Sequence, residues 1–486
     1  MNVEGIVALS FLAVLYIRSD ASERTPPSRG FDPLAIAAIF VVVSLAFIPI
    51  LRTPFLYDDY THITDASRFT WHSVLQQFGP APGRGLFFRP VGFFLYWLNY
   101  LWARADPTWW HAGNIALHVI CSCLTYALCG EVGLSRRASL AGALVFGLSG
   151  ASAEAVAWVD AGFVSLTAAL VLVSLIFVCR YAASGRPAWL IGALVAGACG
   201  MLSKETAFCL PFLIASLGLF RSCKDWKGIR RATVYAAGLA LVLFAYRWWA
   251  LGGIGGYTGA AGETNILRFN AVRTADALLL RQWAVLFFSF NWSTSASPTL
   301  RGALAVSPFL LAACAWMAKP SRRRLIGCFV FIIAAGLPVQ HLLLISPDLG
   351  GSRTLYLGCV GWALLWATVL DSMDRARVVL AVASVLLVLQ VWMLEHDLEI
   401  WRDTSELARS VCTVFGNALA GASGRVVVRG LPATRNGVVF LRNGFPQCVE
   451  LNSGVEASRI QMQPVPGASE FVWNESSRRI ESAAGR

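Results

Sequence analysis

Two adjacent carboxylates, Asp58 and Asp59, stand in the segment TPFLYDDYTHITDASRF, directly after an apolar run, Pro33 to Leu51, long enough to enter a bilayer. Acidic side chains beside hydrocarbon are costly, so a pair there points to an ion path, a metal site or acid–base chemistry; the bland alternative is a solvated loop. Glu154 and Asp160 in SAEAVAWVDAG, and Glu205 in LSKET, lie beside later apolar runs. A carboxylate held near another has its pKa raised, which brings it toward proton transfer at neutral pH. Three cations accompany them: Arg89, Lys204 and Arg353. Arginine offers a planar fork and lysine a compact charge, a mixture that suits a diphosphate or phosphodiester at the bilayer surface; the alternative is snorkelling at span ends. In WWHAGNIALH, the residues His111, Asn114 and His118 share one helix face. His111 is near the outer boundary, in reach of a substrate or a carboxylate, whereas His118 lies two turns deeper and reads as a polar tie between helices.

The elements that must position these groups are membrane helices. Of the 486 residues, 56% are hydrophobic and only 14% charged. A crossing takes roughly 20 apolar residues, and about eleven such runs occur. They fall near 33–51, 109–130, 138–153, 162–180, 188–203, 206–220, 232–251, 303–318, 325–345, 352–370 and 377–394, with Met1 to Ile17 as a twelfth or a membrane-resting end. The net charge of +12 does not imply nucleic acid, because the basic residues gather in short connectors that set orientation. If Arg136-Arg137, Arg221 to Arg231, Lys319 to Arg324 and Arg375 to Arg377 face the cytoplasm, the acids and cations above all fall on the outer side. To keep that parity, Leu86 to Ala103 is laid on the membrane surface, and Thr274 to Phe290 is read as a second interfacial or re-entrant helix.

The expected fold is therefore an all-α polytopic membrane protein with outer surface helices and a small C-terminal α/β tail. Residues 1–394 form its transmembrane domain, with a first outer loop at 52–108, and 395–486 its outer tail. In the tail, Glu395 to Phe415 reads as an amphipathic helix, Arg425 to Val428 and Val438 to Arg442 as strands, and residues after about Gly467 as loose. Of twelve cysteines, ten lie in or beside apolar runs or inner connectors; Cys412 and Cys448 share the tail, where an oxidising compartment would let them pair. No dinucleotide fingerprint or Walker-type phosphate loop is present.

The ordered motifs resemble the GT-C superfamily of polytopic glycosyltransferases, which use a polyprenyl-phosphate-linked sugar as donor. YDDY resembles that family's acidic first outer loop. FFRPVGFFLYWLNYLW and PTWWHAGNIALH are similar to the surface helix and the H-x-x-N-x-x-x-H span of its O-mannosyltransferase group. SAEAVAWVDAG, LSKET and SRTLYLG then match its E-A-V loop, S-K-E step and R-x-L-Y-L span start, in the same order over residues 33 to 370. Gly150-Ala151-Ser152 stands where those relatives carry His-Pro, and no tetratricopeptide repeats follow.

The resemblance implies Asp58 as general base, removing the proton of an acceptor hydroxyl while the sugar is attacked opposite its departing lipid phosphate, with inversion. Lys204, Arg89 and Arg353 would stabilise that phosphate. Asp59, Glu154 or Asp160 would position the acceptor, tune Asp58 or hold a divalent cation. His111, Asn114, Glu205 and Tyr356 of the R-x-L-Y-L motif complete the expected substrate contacts. The implied partners are a polyprenyl-phosphate sugar, a hydroxyl-bearing glycan, lipid or protein acceptor, and the bilayer, with no nucleic acid. The implied location is a bacterial inner membrane with the site facing the periplasm. A transporter of an anionic substrate remains the competing class, although its charges would belong at midspan, as does a glycan ligase or polymerase on the same fold.

Overall fold

The computed structural model describes residues 32–80, 87–221, 225–256, 270–291, 312–313, 315–339, 349–373, 376–420, 424–465, 468–474 and 479–482. Met1 to Ile17 lies outside these, as does most of the apolar run at 303–318.

Helices dominate, and their starts follow local chemistry. Helix α1 (Pro33–Phe47) opens on Asp32, whose carboxylate accepts the Ala35 N–H at 3.2 Å. Short helix α2 (Asp58–Ser67) carries the aspartate pair on its first turn. Helix α3 (Pro90–Ala103) is followed by α4 (Pro107–Glu131), capped by Asp106 on the Thr108 N–H. Proline just inside each of α1, α3 and α4 removes a donor that would have no partner there. Next come α5 (Arg136–Gly147), α6 (Ala153–Ala157), α7 (Gly162–Ser184), α8 (Pro187–Ser203), α9 (Leu210–Leu217) and α10 (Trp226–Leu251). After them run α11 (Arg322–Gly336), α12 (Tyr356–Asp371), α13 (Ala376–Ala420) and α14 (Phe445–Ser453).

Six helical stretches among the described residues are long and apolar enough to cross a membrane: Pro33–Ile50, Pro107–Glu131, Val159–Ser184, Trp226–Leu251, Ser352–Asp371 and Ala381–Leu419. Arg136–Gly147 with Gly150–Ala157 makes a seventh only if the 50° bend between them belongs to one span. Pro187–Ser203 and Glu205–Leu217 are apolar but shorter. Helix α12 is the centre of the bundle, with every residue from Tyr356 to Leu370 buried. The segments expected at the surface stay short: α3 has 14 residues, and Ala271 to Phe287 is one helical stretch interrupted by a π turn at Ala277–Arg281.

The basic connectors meet at one end of the bundle. There Arg136 pairs with Asp32, Arg180 with Glu131 at 2.8 Å, and Arg324 with Asp371 at 3.3 Å. Asp58, Asp160, Lys204 and Arg353 sit at the other ends of α1, α7, α8 and α12.

The tail departs from expectation in two ways. The last span and the amphipathic segment form one continuous helix of 45 residues, so position 394 falls in its interior. Residues beyond Gly467 are built into a sheet: β5 (Ser469–Asn474) runs parallel to β1 (Val426–Arg429), pairing Val426 with Ser469 through Arg429 with Val472. The apolar content of Phe471, Val472 and Trp473 supplies the side chains such a strand needs. The sheet order is β4 (Ile460–Gln461), β1, β5, β6 (Arg479–Ser482), while β2 (Thr434–Arg435) and β3 (Val438–Val439) make a separate hairpin. Cys412 of α13 and Cys448 of α14 form a disulfide.

Candidate active site

The two neighbouring aspartates have opposite fates. Asp59 is 1% exposed, and its carboxylate accepts the Leu56 N–H at 3.0 Å and the Asp160 N–H at 2.8 Å. It staples the loop before α2 to the turn Val159–Ala161 that opens α7. Burial pushes its pKa well up, against those two bonds. Asp58, by contrast, is only partly buried and faces the tail, where its Oδ1 accepts an N–H from Asn443 at 3.0 Å. Among the described residues its Oδ2 has no hydrogen-bond partner. Burial raises the Asp58 pKa, Asn443 lowers it, Asp160 raises it, and His62 and Arg353 lower it; the net direction is up. Tyr57, immediately before, is held at φ 55°, a conformation that costs a non-glycine residue energy and sets the direction in which α2 departs.

Asp160 pairs with His62, Nδ1 to Oδ1 at 2.5 Å. His62 lies one turn after Asp58 on α2, so both project toward the same side. Burial opposes charge on this imidazole, yet the pull of Asp160, Asp58 and Asp65 carries its pKa up to about 9. His62 is a site residue beyond those expected from the motifs; the signal for it in the sequence is the D-x-x-x-H spacing from Asp58, which places both on one face of a short helix.

The cations form the opposite wall. Glycine at 92 lets α3 press onto α7 and α8, since a Cβ there would stand 2.5 Å from the Phe163 ring and 3.1 Å from the Ser203 carbonyl. That approach brings Arg89 over Glu205, with Nε at 3.1 Å and NH2 at 2.8 Å from Oε2. Arg247, at the end of α10, reaches Glu205 Oε1 at 3.5 Å. Glu205 is thus the clamp between two guanidinium groups rather than a group free for substrate. Lys204 lies within electrostatic reach of Arg89, Arg353, Glu205 and Asp160, and among the described residues makes no hydrogen bond or ion pair. Arg353 stacks over Trp158 at 4.7 Å and pairs with Glu154.

Glu154 is 4% exposed and entirely occupied: beyond the ion pair, its oxygens accept the Arg353 N–H at 2.8 Å, the Gly351 N–H at 3.3 Å and the Ser352 hydroxyl at 3.4 Å. It shapes the turn Ser352–Leu355, and so does not act as an available acid or base.

Three expected substrate contacts are placed elsewhere. His111 is buried, bonding the Thr53 carbonyl at 3.0 Å through Nε2. Asn114 donates to the carbonyls of Trp158 and Val159 at 3.1 and 3.3 Å, holding the turn that carries Asp160. Tyr356 is 0% exposed, its hydroxyl 2.6 Å from His118 Nδ1 in the bundle core. Burial leaves these side chains to orient the loops that bear the acids. Among the described residues no group of three or more His, Cys, Asp or Glu side chains is arranged to hold a metal.

What results is one cluster of charged groups within electrostatic reach of one another: Asp58, the His62–Asp160 pair, Arg353, Lys204 and the Arg89–Glu205–Arg247 clamp. The cluster offers a carboxylate with an unbonded oxygen and a group of cations, chemistry that can take a proton and hold an anion.

Neither a family model nor a curated protein matches this sequence. Among solved structures, the chain is similar to the oligosaccharyltransferase of Archaeoglobus fulgidus in complex with zinc and sulfate. Identity is 12% and the TM-score 0.47, over 87% of this chain and 62% of that one, so it spans about three fifths of that protein's length. It is also similar to ArnT from Cupriavidus metallidurans bound to undecaprenyl phosphate, at 13% identity and TM-score 0.32, over 92% of this chain and 94% of that one. The apo form of ArnT matches at 13% identity and TM-score 0.37, over 90% and 93%.

Proposed function

We propose that this chain is a membrane glycosyltransferase of the GT-C type that moves a sugar from a polyprenyl-phosphate carrier to an acceptor hydroxyl at the extracytoplasmic face. The observation that carries this reading is the convergence, at the bundle end opposite the basic connectors, of Asp58 with Lys204, Arg89 and Arg353.

Asp58 is the base. As the acceptor oxygen bonds to the anomeric carbon, its proton passes to the open Oδ2 of Asp58, and the bond from that carbon to the phosphate oxygen breaks. The electron pair leaves with the lipid phosphate, whose charge falls among Lys204, Arg89 and Arg353, and attack from the opposite face inverts the centre. The raised Asp58 pKa suits a base that must hold a proton during transfer. The six apolar crossings support a polyprenyl-phosphate donor, because a long polyprenyl chain would lie in the same bilayer as the bundle.

The test is an assay of purified protein against a panel of polyprenyl-phosphate sugars, comparing wild type with Asp58→Asn. Loss of a general base is expected to lower kcat by about 10²–10⁴-fold. Retained transfer in the variant would remove Asp58 from this role, and no turnover of any lipid donor by wild type would favour transport or another reaction.

A further inference from the structure

We infer that Asn443, in the C-terminal tail, is a positioning residue for Asp58, so that the tail completes the reaction centre across 385 residues of sequence. This rests on the reading of Asp58 as the reacting carboxylate.

The contact is built rather than incidental. Asn443 Nδ2 carries two hydrogens, and both are used: one on Asp58 Oδ1 at 3.0 Å and one on the Tyr57 hydroxyl at 2.9 Å. With its amide nitrogen committed in this way, Asn443 fixes which carboxylate oxygen is occupied, Oδ1, and leaves Oδ2 for the proton. The next residue makes the approach achievable. Gly444 has φ +74°, and a Cβ there would stand 2.3 Å from the Tyr57 carbonyl oxygen, so only glycine lets the tail backbone come this close to the Asp58 loop. Gly444 also precedes the first turn of α14, which packs against α2. The Cys412–Cys448 disulfide then ties α14 to α13. The Asn443 hydrogen bonds and the packing of α14 on α2 therefore hold the tail against the one short helix that presents Asp58.

The charged and titratable groups facing Asp58 are Tyr57, Asp59 and His62 on its own element, Asp160 from the turn before α7, Tyr96 from α3 and Arg353 from the turn before α12. Asn443 is the uncharged donor among them. A donor on a carboxylate favours the ionised form, so its removal makes Asp58 harder to ionise.

The experiment uses the full-length protein in lipid nanodiscs as wild type, Asn443→Ala and Asn443→Asp. Modification of Asp58 by a water-soluble carbodiimide, which attacks the protonated carboxyl, is followed by peptide mass spectrometry across pH. Asn443→Ala is expected to raise the half-modification pH by about half to one unit, and Asn443→Asp by more, because it sets a second carboxylate against the first. The acid limb of the pH–rate profile, with whichever polyprenyl-phosphate sugar wild type turns over, is expected to move the same way. If neither variant shifts the half-modification pH while the disulfide stays formed, Asn443 does not act on Asp58 and the inference falls. Transfer retained by Asp58→Asn would instead overturn the assignment of the base, with the Asn443 result unaffected.

Discussion

Asp160→Asn isolates the charge that holds His62 in its protonated form. His62 has an ordinary pKa of 6.5 and stands at about 9 in the folded chain, with burial opposing charge and Asp160, Asp58 and Asp65 favouring it. The difference of about 2.5 units (9 − 6.5) corresponds to an upper bound of about 3.4 kcal/mol at 1.36 kcal/mol per unit. His62 is 28% exposed, so water screens part of that, and about 2 kcal/mol is the expected contribution. Because the folded pKa lies above the unfolded one, this stabilisation is complete below pH 6.5 and disappears as pH rises through about 9. The amide in the variant carries no charge, while the backbone N–H of residue 160 still bonds Asp59, so the turn itself keeps its anchor. Thermal unfolding of detergent-solubilised wild type and variant, followed by tryptophan fluorescence, should give a wild type more stable by a few degrees at pH 6, with the two curves converging above pH 9.5. Parallel curves for the two proteins over that whole range would refute the account of His62 as an ion held by Asp160.

Two further outcomes follow from the contacts. Glu154→Gln places an amide nitrogen against a donor in either orientation, because both carboxylate oxygens already accept N–H or O–H groups from residues 351–353. It also takes the Glu154 charge away from Arg353, 26% exposed, so a loss of about 2–4 kcal/mol in stability is expected together with reduced transfer; wild-type melting and turnover would show that other contacts hold the turn. Gly444→Ala combines a left-handed backbone, costing about 1–2 kcal/mol, with a clash on the Tyr57 carbonyl, so transfer should fall more than global melting does; equal activity would mean that the tail need not sit so close to α2.

The spatial convergence of the acids and cations was legible because it depends on parity. Basic connectors and acid- or cation-bearing turns alternate along the chain one helix apart, so Asp58, Asp160, Lys204 and Arg353 are expected at one end of the helices and the connectors at the other, where the ion pairs of Arg136, Arg180 and Arg324 lie. The division of labour among them was not legible for the same reason in reverse. Asp58 and Asp59 are adjacent and chemically identical, yet on a helix they point about 100° apart. One direction meets the N–H groups of Leu56 and Asp160, the other meets the tail. Likewise Glu154 and Glu205 looked available as acids until the backbone N–H groups of the Arg353 turn and the guanidinium groups of Arg89 and Arg247 were seen to consume them.

The tail shows a second kind of blindness. Glu395 ends the apolar run and was read as the end of a span, but a helix satisfies its own backbone polar groups and has no reason to stop where the hydrocarbon does. Helix α13 therefore continues unbroken from Ala376 to Ala420, a contour of about 68 Å at about 1.5 Å per residue. Its far half provides the platform to which Cys412 fixes α14, and α14 in turn meets α2. A periodicity change in the side chains marks where the surroundings change, not where the backbone does. The consequence for function is that the tail is joined to the bundle by one unbroken helix rather than a linker, with the Asn443 amide at hydrogen-bonding distance from Asp58.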